Sequence, residues 1–136
     1  MSFQRDLKFG QKFEQLYCNY AKFTNFKISE YRFSDYDIID YDTNTTYEVK
    51  ADRLSHKTGN IVFEYECNNK PSGITTTKAN IYVYFNILGE DYEIYEIPVY
   101  IIKSLLNDTV KKIKGGDKNH SLMYVLKLAL FEDYKV

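Results

Sequence analysis

The chain has 136 residues, a length typical of one domain with its own hydrophobic core. It contains 14 Tyr and 9 Phe but no Trp, and such aromatic residues are favoured in β-sheets. A formal net charge of −1 excludes a general electrostatic attraction of the whole protein to nucleic acid, so any such affinity must come from local patches.

Residues 6–23 predict a first helix, because apolar side chains recur there at roughly helical spacing. They form one face: Leu7, Phe9, Phe13, Leu16, Tyr17 and Tyr20. Glu14 lies near that face. Residues 26–32 alternate loosely between apolar and polar, which fits either an edge strand or a loop.

The stretch 37–50, DIIDYDTNTTYEVK, predicts a β-hairpin with strands at 37–39 and 47–51 and a turn at 42–44. With that turn, Asp37 lies roughly opposite residues 48–50. Glu48 and Lys50 then share one face, because side chains alternate along a strand. Two carboxylates and one amine converge only in this register, since a shift of one residue would move Asp37 to the other face. Other carboxylates in the stretch are alternatives to Asp37, with Asp40 the second choice and Asp42 better suited to the turn: Asp35, Asp40 and Asp42.

Residues 61–66 predict a third strand, with Glu64 on the face opposite to Phe63. Glu64 either supplements a metal site from a neighbouring strand or belongs to a plain polar face. Residues 68–73 indicate a turn, after which Ser72 suits the cap of a short helix through residues 77–79. His56, in the polar connection before this strand, is expected to be solvated.

Residues 81–87 and 92–97 predict a second hairpin, and Pro98 suits the first turn of a helix that runs through residue 106. A basic segment follows at 110–119, where Gly115 and Gly116 leave backbone N–H groups open to an anion. It is either a phosphate clamp or an ordinary exposed loop, and its basic residues are Lys111, Lys112, Lys114 and Lys118. The last stretch, 122–131, favours a strand that begins near Met123.

A characteristic spacing starts at Asp37, which is followed by ten residues and then by Glu48-x-Lys50. The segments that follow it in the chain are also characteristic. It is followed by 48–53 (EVKADR), 58–66 (TGNIVFEYE), 71–74 (PSGI), 76–79 (TTKA) and 114–119 (KGGDKN). This order resembles the PD-(D/E)XK nuclease superfamily, and in particular a group of small nuclease-like proteins common in phages and large DNA viruses. The resemblance spans roughly residues 10–128, and Tyr36 stands where the motif has proline.

The resemblance implies an α/β fold with a restriction-endonuclease-like core, αβββαβ, whose mixed central sheet is flanked by helices, in one domain over residues 1–136. It implies that the first helix delivers Glu14 to the metal site and that Lys78 lies on a helix near the active edge, where it contacts a phosphate. Lys111, Lys112, Lys114 and Lys118 complete the expected nucleic-acid contacts. A homodimer would let two sites address two strands.

The chemistry expected of the hairpin is metal-dependent hydrolysis. Asp37 and Glu48 offer the oxygen ligands that Mg²⁺ or Mn²⁺ prefers, and the backbone carbonyl of Val49 is a further candidate ligand. Lys50 would orient the attacking water or stabilise the transition state, and Glu64 is an additional candidate. The expected function is therefore that of a Mg²⁺- or Mn²⁺-dependent DNA endonuclease, acting on branched, recombination or repair intermediates.

A different class of function stays open: a non-catalytic module that binds nucleic acid or protein and keeps the nuclease fold. The two cysteines match no metal spacing. The N-terminal residues lack an apolar signal region, and no apolar run approaches the roughly 18 residues that span a membrane. We therefore expect a protein of the cytoplasm, or of the host cell if it is viral, that is not secreted and has no membrane partner.

Overall fold

The computed structural model describes residues 3–29, 35–115 and 120–136. Its first half contains α1 (Phe3–Ala21), β1 (Phe26–Ile28), β2 (Ile38–Asp40), β3 (Thr45–Asp52), α2 (Ser55–Thr58), β4 (Asn60–Cys67) and β5 (Lys70–Pro71). A 3₁₀ turn at Gly73–Thr75 leads to β6 (Ile81–Leu88), β7 (Asp91–Pro98), α3 (Val99–Leu105), β8 (Lys111–Gly115), β9 (Ser121–Lys127) and a 3₁₀ helix at Leu128–Tyr134. None of the described helices is long and apolar enough to cross a membrane.

The described strands form two sheets. The first has the order β1-β2-β3-β6-β7, in which β3 and β6 run parallel and the other neighbours antiparallel. The second has the order β5-β4-β9-β8 and is antiparallel throughout. The predicted α/β class with a mixed sheet is therefore confirmed.

The β2–β3 hairpin closes in the register that the sequence predicts. Asn44 adopts a left-handed conformation in the turn, with φ of 56°, which asparagine tolerates better than most residues. Ile38 pairs with Tyr47, and the backbone N–H of Asp37 donates to the carbonyl of Tyr47 at 2.8 Å. Asp37 is therefore placed beside Glu48 at the start of the hairpin.

Each face of the first sheet packs in its own hydrophobic core. On one face, Phe13 and Tyr17 of α1 pack with Ile38, Val83 and Phe85. On the other face, aromatic residues of β6 pack against β4, α3 and the C-terminal 3₁₀ helix; buried members are Ile61, Phe63, Tyr82, Tyr84, Ile102 and Phe131. This arrangement follows from the alternation of side chains along β6, whose residues other than Asn86 are apolar or aromatic on both faces.

The predicted first helix, both hairpins and the helix after Pro98 are confirmed, and the predicted strand near Met123 begins at Ser121. Three predictions are wrong. The strand at 61–66 exists, but it belongs to the second sheet and does not neighbour β3. No helix forms at 77–79, because three consecutive β-branched threonines at 75–77 disfavour one. The basic segment is not a loop over 111–115, where it pairs with β9 as an edge strand.

Candidate functional site

A cleft of about 510 Å³ opens where the β2–β3 hairpin faces β4 and the start of β9. Its remaining wall is the segment 72–77, which we call the strap and which connects β5 to β6. Four carboxylates and one amine line this cleft: Asp35, Asp37, Glu48, Glu64 and Lys50. The predicted hairpin residues are therefore brought together, and two further acidic residues join them.

Asp37 and Glu48 are directly coupled. The backbone N–H of Val49 donates to Asp37 Oδ2 at 2.7 Å, which holds that carboxylate against β3. Burial, the charge of Asp37 and a hydrogen bond with Asp37 raise the pKa of Glu48 to about 9, although a hydrogen bond from Thr77 and the charge of Lys50 oppose this shift. At neutral pH the pair therefore retains a proton, because two adjacent carboxylates resist ionising together.

Lys50 lies two residues beyond Glu48 on the same face of β3, and both side chains line the cleft. The side chain of Val49 points the other way and packs in the core beneath α1. The carbonyl of Val49 stays a predicted ligand. The alternation along β3 thus delivers one carboxylate and one amine to the cleft and uses the intervening residue to hold the strand on the helix.

Helix α1 brings Glu14 close enough to interact with Asp37. Glu14 is half-buried, and burial together with the charge of Asp37 raises its pKa to about 7. Asp37 is therefore electrostatically coupled to two other carboxylates, one on β3 and one on α1. Glu14 does not itself line the cleft, so its delivery to a metal site stays a prediction.

Glu64 reaches the cleft from the second sheet. The hydroxyl of Ser72 donates to Glu64 Oε2 at 3.0 Å and fixes its side chain. Glu64 is therefore part of the cleft wall, but it comes from an opposing sheet rather than from a strand beside β3.

The strap carries two hydroxyl side chains that hydrogen-bond to cleft carboxylates and that the sequence pattern does not assign to the site. Thr77 donates to Glu48 Oε1 at 3.0 Å, as Ser72 does to Glu64. Gly73 has φ of 53°, and a Cβ atom there would overlap the backbone carbonyl of Glu64, so only glycine fits. The available signal was the Pro-Ser-Gly turn followed by hydroxyl residues, which we interpreted as a helix cap.

The predicted phosphate-binding lysines are separated by the fold. Lys78 lies in an irregular segment and forms an exposed ion pair with the cleft residue Asp35 at 3.7 Å. Along β8, Lys111 shares one face with Ile113, whereas Lys112 and Lys114 share the other. Lys118 lies outside the described residues.

The alternative residues of the hairpin have structural partners. Asp40 is buried and accepts hydrogen bonds from the hydroxyl of Thr43 at 2.9 Å and the N–H of Asp42 at 3.1 Å. Asp42 accepts from the hydroxyl of Thr24 at 2.9 Å. Asp40 and Asp42 therefore stabilise the turn, and the exposed His56 lies on α2, away from the cleft.

The donor set of the cleft suits a hard divalent cation. Within residues 3–29, 35–115 and 120–136, no three His, Cys, Asp or Glu side chains are arranged to hold a metal ion. Mg²⁺ needs no such cage, because one or two carboxylates with water and substrate phosphate commonly complete its shell. Asp37 and Glu48 fit that role, since a cation would relieve the repulsion that raises the pKa of Glu48.

Comparisons with known proteins add no relative: no family model matches the chain, and no curated protein or solved structure is significantly similar to it.

Proposed function

We propose that the protein is a Mg²⁺- or Mn²⁺-dependent deoxyribonuclease that hydrolyses phosphodiester bonds in this cleft. The observation that carries the proposal is the convergence of Asp37, Glu48 and Lys50 on one cleft, with the pKa of Glu48 raised to about 9. A cation is the simplest group that neutralises the carboxylates of Asp37 and Glu48. A phosphate bound to that cation would also contact the ammonium of Lys50.

Hydrolysis of a phosphodiester needs a water nucleophile and compensation for the negative charge that builds on phosphorus. A bound divalent cation supplies Lewis acidity and lowers the pKa of water. Asp37 and Glu48 would hold that cation, and the N–H of Val49 would keep Asp37 oriented. Lys50 would orient the attacking water or stabilise the phosphorane oxygens, both of which need a charged donor fixed on a rigid strand.

The order of elements supports a restriction-endonuclease-like core. One helix, an antiparallel meander β1-β2-β3 and a parallel partner β6 follow one another in the first sheet. One departure from αβββαβ is clear. The connection from β3 to β6 contains α2, β4, β5 and the strap instead of a helix that crosses the sheet.

We infer DNA as the substrate, and branched or recombination intermediates as the preferred form, from the resemblance to the small phage and viral nuclease-like group. The basic edge strand β8 supports a nucleic-acid partner. Glu64 on β4, Met123 on β9 and Ile113 on β8 form one row across the second sheet, which places β8 one strand spacing, about 5 Å, from the cleft residue Met123. A homodimer would let two such clefts address two strands.

The test is cleavage of linear duplex, single-stranded, flapped and four-way-junction DNA, with Mg²⁺ or Mn²⁺ and with EDTA. Glu48→Gln and Lys50→Met should abolish cation-dependent cutting, whereas the exposed control Lys57→Ala should cut normally. Cutting that persists in both cleft variants would refute the proposal. Metal-independent DNA binding without any cutting would instead favour the non-catalytic nucleic-acid-binding module.

A further inference from the structure

Two tyrosines of the second sheet form a close pair at its surface. The ring centroids of Tyr65 on β4 and Tyr124 on β9 are 4.3 Å apart, with 35° between the ring planes. Both residues are half-buried. Neither hydroxyl has a hydrogen-bond partner among the described residues, whereas the buried Tyr84 hydroxyl bonds both Ser55 and Asp52. The pair differs in this respect from Tyr84, and the ring of Tyr65 also packs against the core.

A β-bulge sets the position of Tyr65. Glu64 pairs with Met123 and Glu66 with Leu122, so Tyr65 is the extra residue between them. Bulges of this kind re-aim a side chain and often lie beside active sites. The carbonyl of Tyr65 also accepts hydrogen bonds from the N–H of Ser72 and the hydroxyl of Thr75, which fasten the strap to the bulge.

The tyrosine pair adjoins the basic edge and lies on the face of the second sheet opposite to the cleft residues Glu64 and Met123. Tyr65 directly follows Glu64 in the chain, and Tyr124 directly follows Met123, so their side chains point away from those of Glu64 and Met123. The ammonium of Lys112 lies 5.5 Å from the centre of the Tyr124 ring, and Lys114 is on the same face of β8. Glu66 adds a negative charge near Tyr65, so attraction to phosphate at this surface comes from the two lysines.

We propose that Tyr65 and Tyr124 form a stacking platform for an unpaired nucleobase, next to phosphates that bind Lys112 and Lys114. The ligand is a single-stranded DNA segment. Aromatic rings beside a positively charged surface are the common means of holding unpaired nucleotides, because every base offers a π-face. This inference rests on the proposed function and extends it, since it assigns a preference for DNA that contains a single-stranded segment.

The test measures binding of labelled oligonucleotides by fluorescence anisotropy in EDTA, so that no cleavage occurs. The ligands are a single strand, the blunt duplex of the same sequence, and a single strand of the same length whose central nucleotides are abasic. Wild type should prefer the single strand and should bind the abasic strand more weakly, because the phosphates are unchanged and only the bases are missing.

Paired variants separate stacking from other roles of the rings. Tyr65→Leu with Tyr124→Leu should weaken single-strand binding about 5- to 150-fold, the range of stacking energies per base, and should leave duplex binding unchanged. Tyr65→Phe with Tyr124→Phe keeps the rings and should bind as wild type does. The control Tyr100→Leu removes a tyrosine on α3 that is 72% exposed, and it should have no effect.

Equal binding of the intact and abasic strands by wild type would overturn the platform, and this comparison holds even if the leucine variant does not fold. A folded leucine variant with undiminished single-strand binding would overturn it as well. The nuclease proposal fails separately. A wild type that binds the single strand through its rings but cuts nothing with Mn²⁺ keeps the platform and loses the nuclease.

Discussion

Two carboxylates on the same face of β3, four residues apart, have opposite surroundings. Asp52 accepts hydrogen bonds from the N–H of Leu54 at 2.7 Å, the hydroxyl of Tyr84 at 2.9 Å and the hydroxyl of Ser55 at 3.2 Å. Glu48 accepts one from Thr77 at 3.0 Å and otherwise faces the carboxylate of Asp37. One strand therefore presents Asp52, which accepts hydrogen bonds from three donors, and Glu48, which has one donor and lies beside a second carboxylate.

This difference between Asp52 and Glu48 shows which carboxylate stabilises the fold. Three donors around Asp52 stabilise its charge, so this group joins α2 and β6 to β3 without any ligand. Glu48 lies beside a like charge in a partly dry cleft, and folding alone gains nothing from that arrangement. A buried acid whose pKa is strongly raised by a specific neighbour in a cleft is typical of a functional site.

The largest effect on cleavage is expected from a substitution of Glu48. Glu48→Gln keeps the shape of the side chain and the acceptor for Thr77 but removes the charge that would hold a cation. Cleavage with Mn²⁺ should fall at least about 10³-fold, since a catalytic cation supplies several kcal/mol of charge stabilisation. The same variant should melt at a higher temperature than wild type in EDTA at pH 8, because glutamine avoids the cost of keeping Glu48 protonated beside Asp37. A lower melting temperature would contradict this account of Glu48.

The strap provides the next test. Thr77→Val removes the hydroxyl that orients Glu48 and should weaken cation affinity about 10- to 100-fold, as loss of a group that orients a metal ligand commonly does. Thr77→Ser restores the hydroxyl and should recover most of that affinity. Titration with Mn²⁺ followed by thermal melting measures both. Equal affinities for the valine and serine variants would remove Thr77 from the site.

A substitution of Asp52 should behave in the opposite way. Asp52→Asn leaves at least one of its buried donors poorly paired and should lower the free energy of unfolding by about 1–3 kcal/mol. The stabilisation by Mn²⁺ and the rate of cleavage should stay as in wild type. Urea denaturation with and without Mn²⁺ checks both. Loss of the Mn²⁺ effect in this variant would show that the two carboxylates are not independent.

A further test is the dependence of stability on pH. The folded state raises the pKa of Glu48 to about 9 and that of Glu14 to about 7, from an ordinary value of 4.5, so the native protein holds protons that the unfolded chain releases. The resulting stability is complete below about pH 4.5 and is lost as the pH rises through 7 and then 9. Denaturant melts in EDTA should therefore show stability that decreases from pH 5 to pH 9. The decrease above pH 7 should be shallower in Glu48→Gln.

The same linkage predicts the behaviour of the cation. A cation competes with the retained proton for Glu48, so Mn²⁺ should stabilise the protein more at pH 8.5 than at pH 6. Stabilisation that is independent of pH would place the cation elsewhere.

The β2–β3 hairpin could be predicted because the residues that determine it are close together in the sequence. The turn residues at 42–44 and the apolar pattern of 38–39 and 47–51 fix both the strands and their register, and the register brings Asp37 to Glu48. The partner of β3 could not be predicted in this way. Ile61–Glu66 and Ile81–Ile87 are both good strands, and only long-range packing decides that β6, not β4, lies beside β3.

The conformation of the strap could not be predicted for a related reason. Ser72 is a good helix cap in isolation, and nothing nearby in the sequence shows that Glu64 and Glu48 would lie on either side of this segment. Its glycine is needed for a contact with β4, which depends on the arrangement of the two sheets. Glu64 was identified as a candidate from its strand face, but its sheet was not.

The interleaving of the two sheets has a consequence for how the protein is made. The first sheet is complete once the ribosome has passed Pro98. In contrast, β4 must wait for β9, because Cys67 pairs with Ser121, 54 residues later in the chain, and Asn60 pairs with Lys127, 67 residues later. Long-range pairing of this kind is slow to form, and N-terminal parts of a chain tend to fold first during synthesis. The acidic hairpin is therefore assembled early, while the wall that carries the tyrosine pair and the basic edge closes last. A nascent chain that already has the acidic hairpin thus gains the opposing wall of the cleft only after β9 has been synthesised.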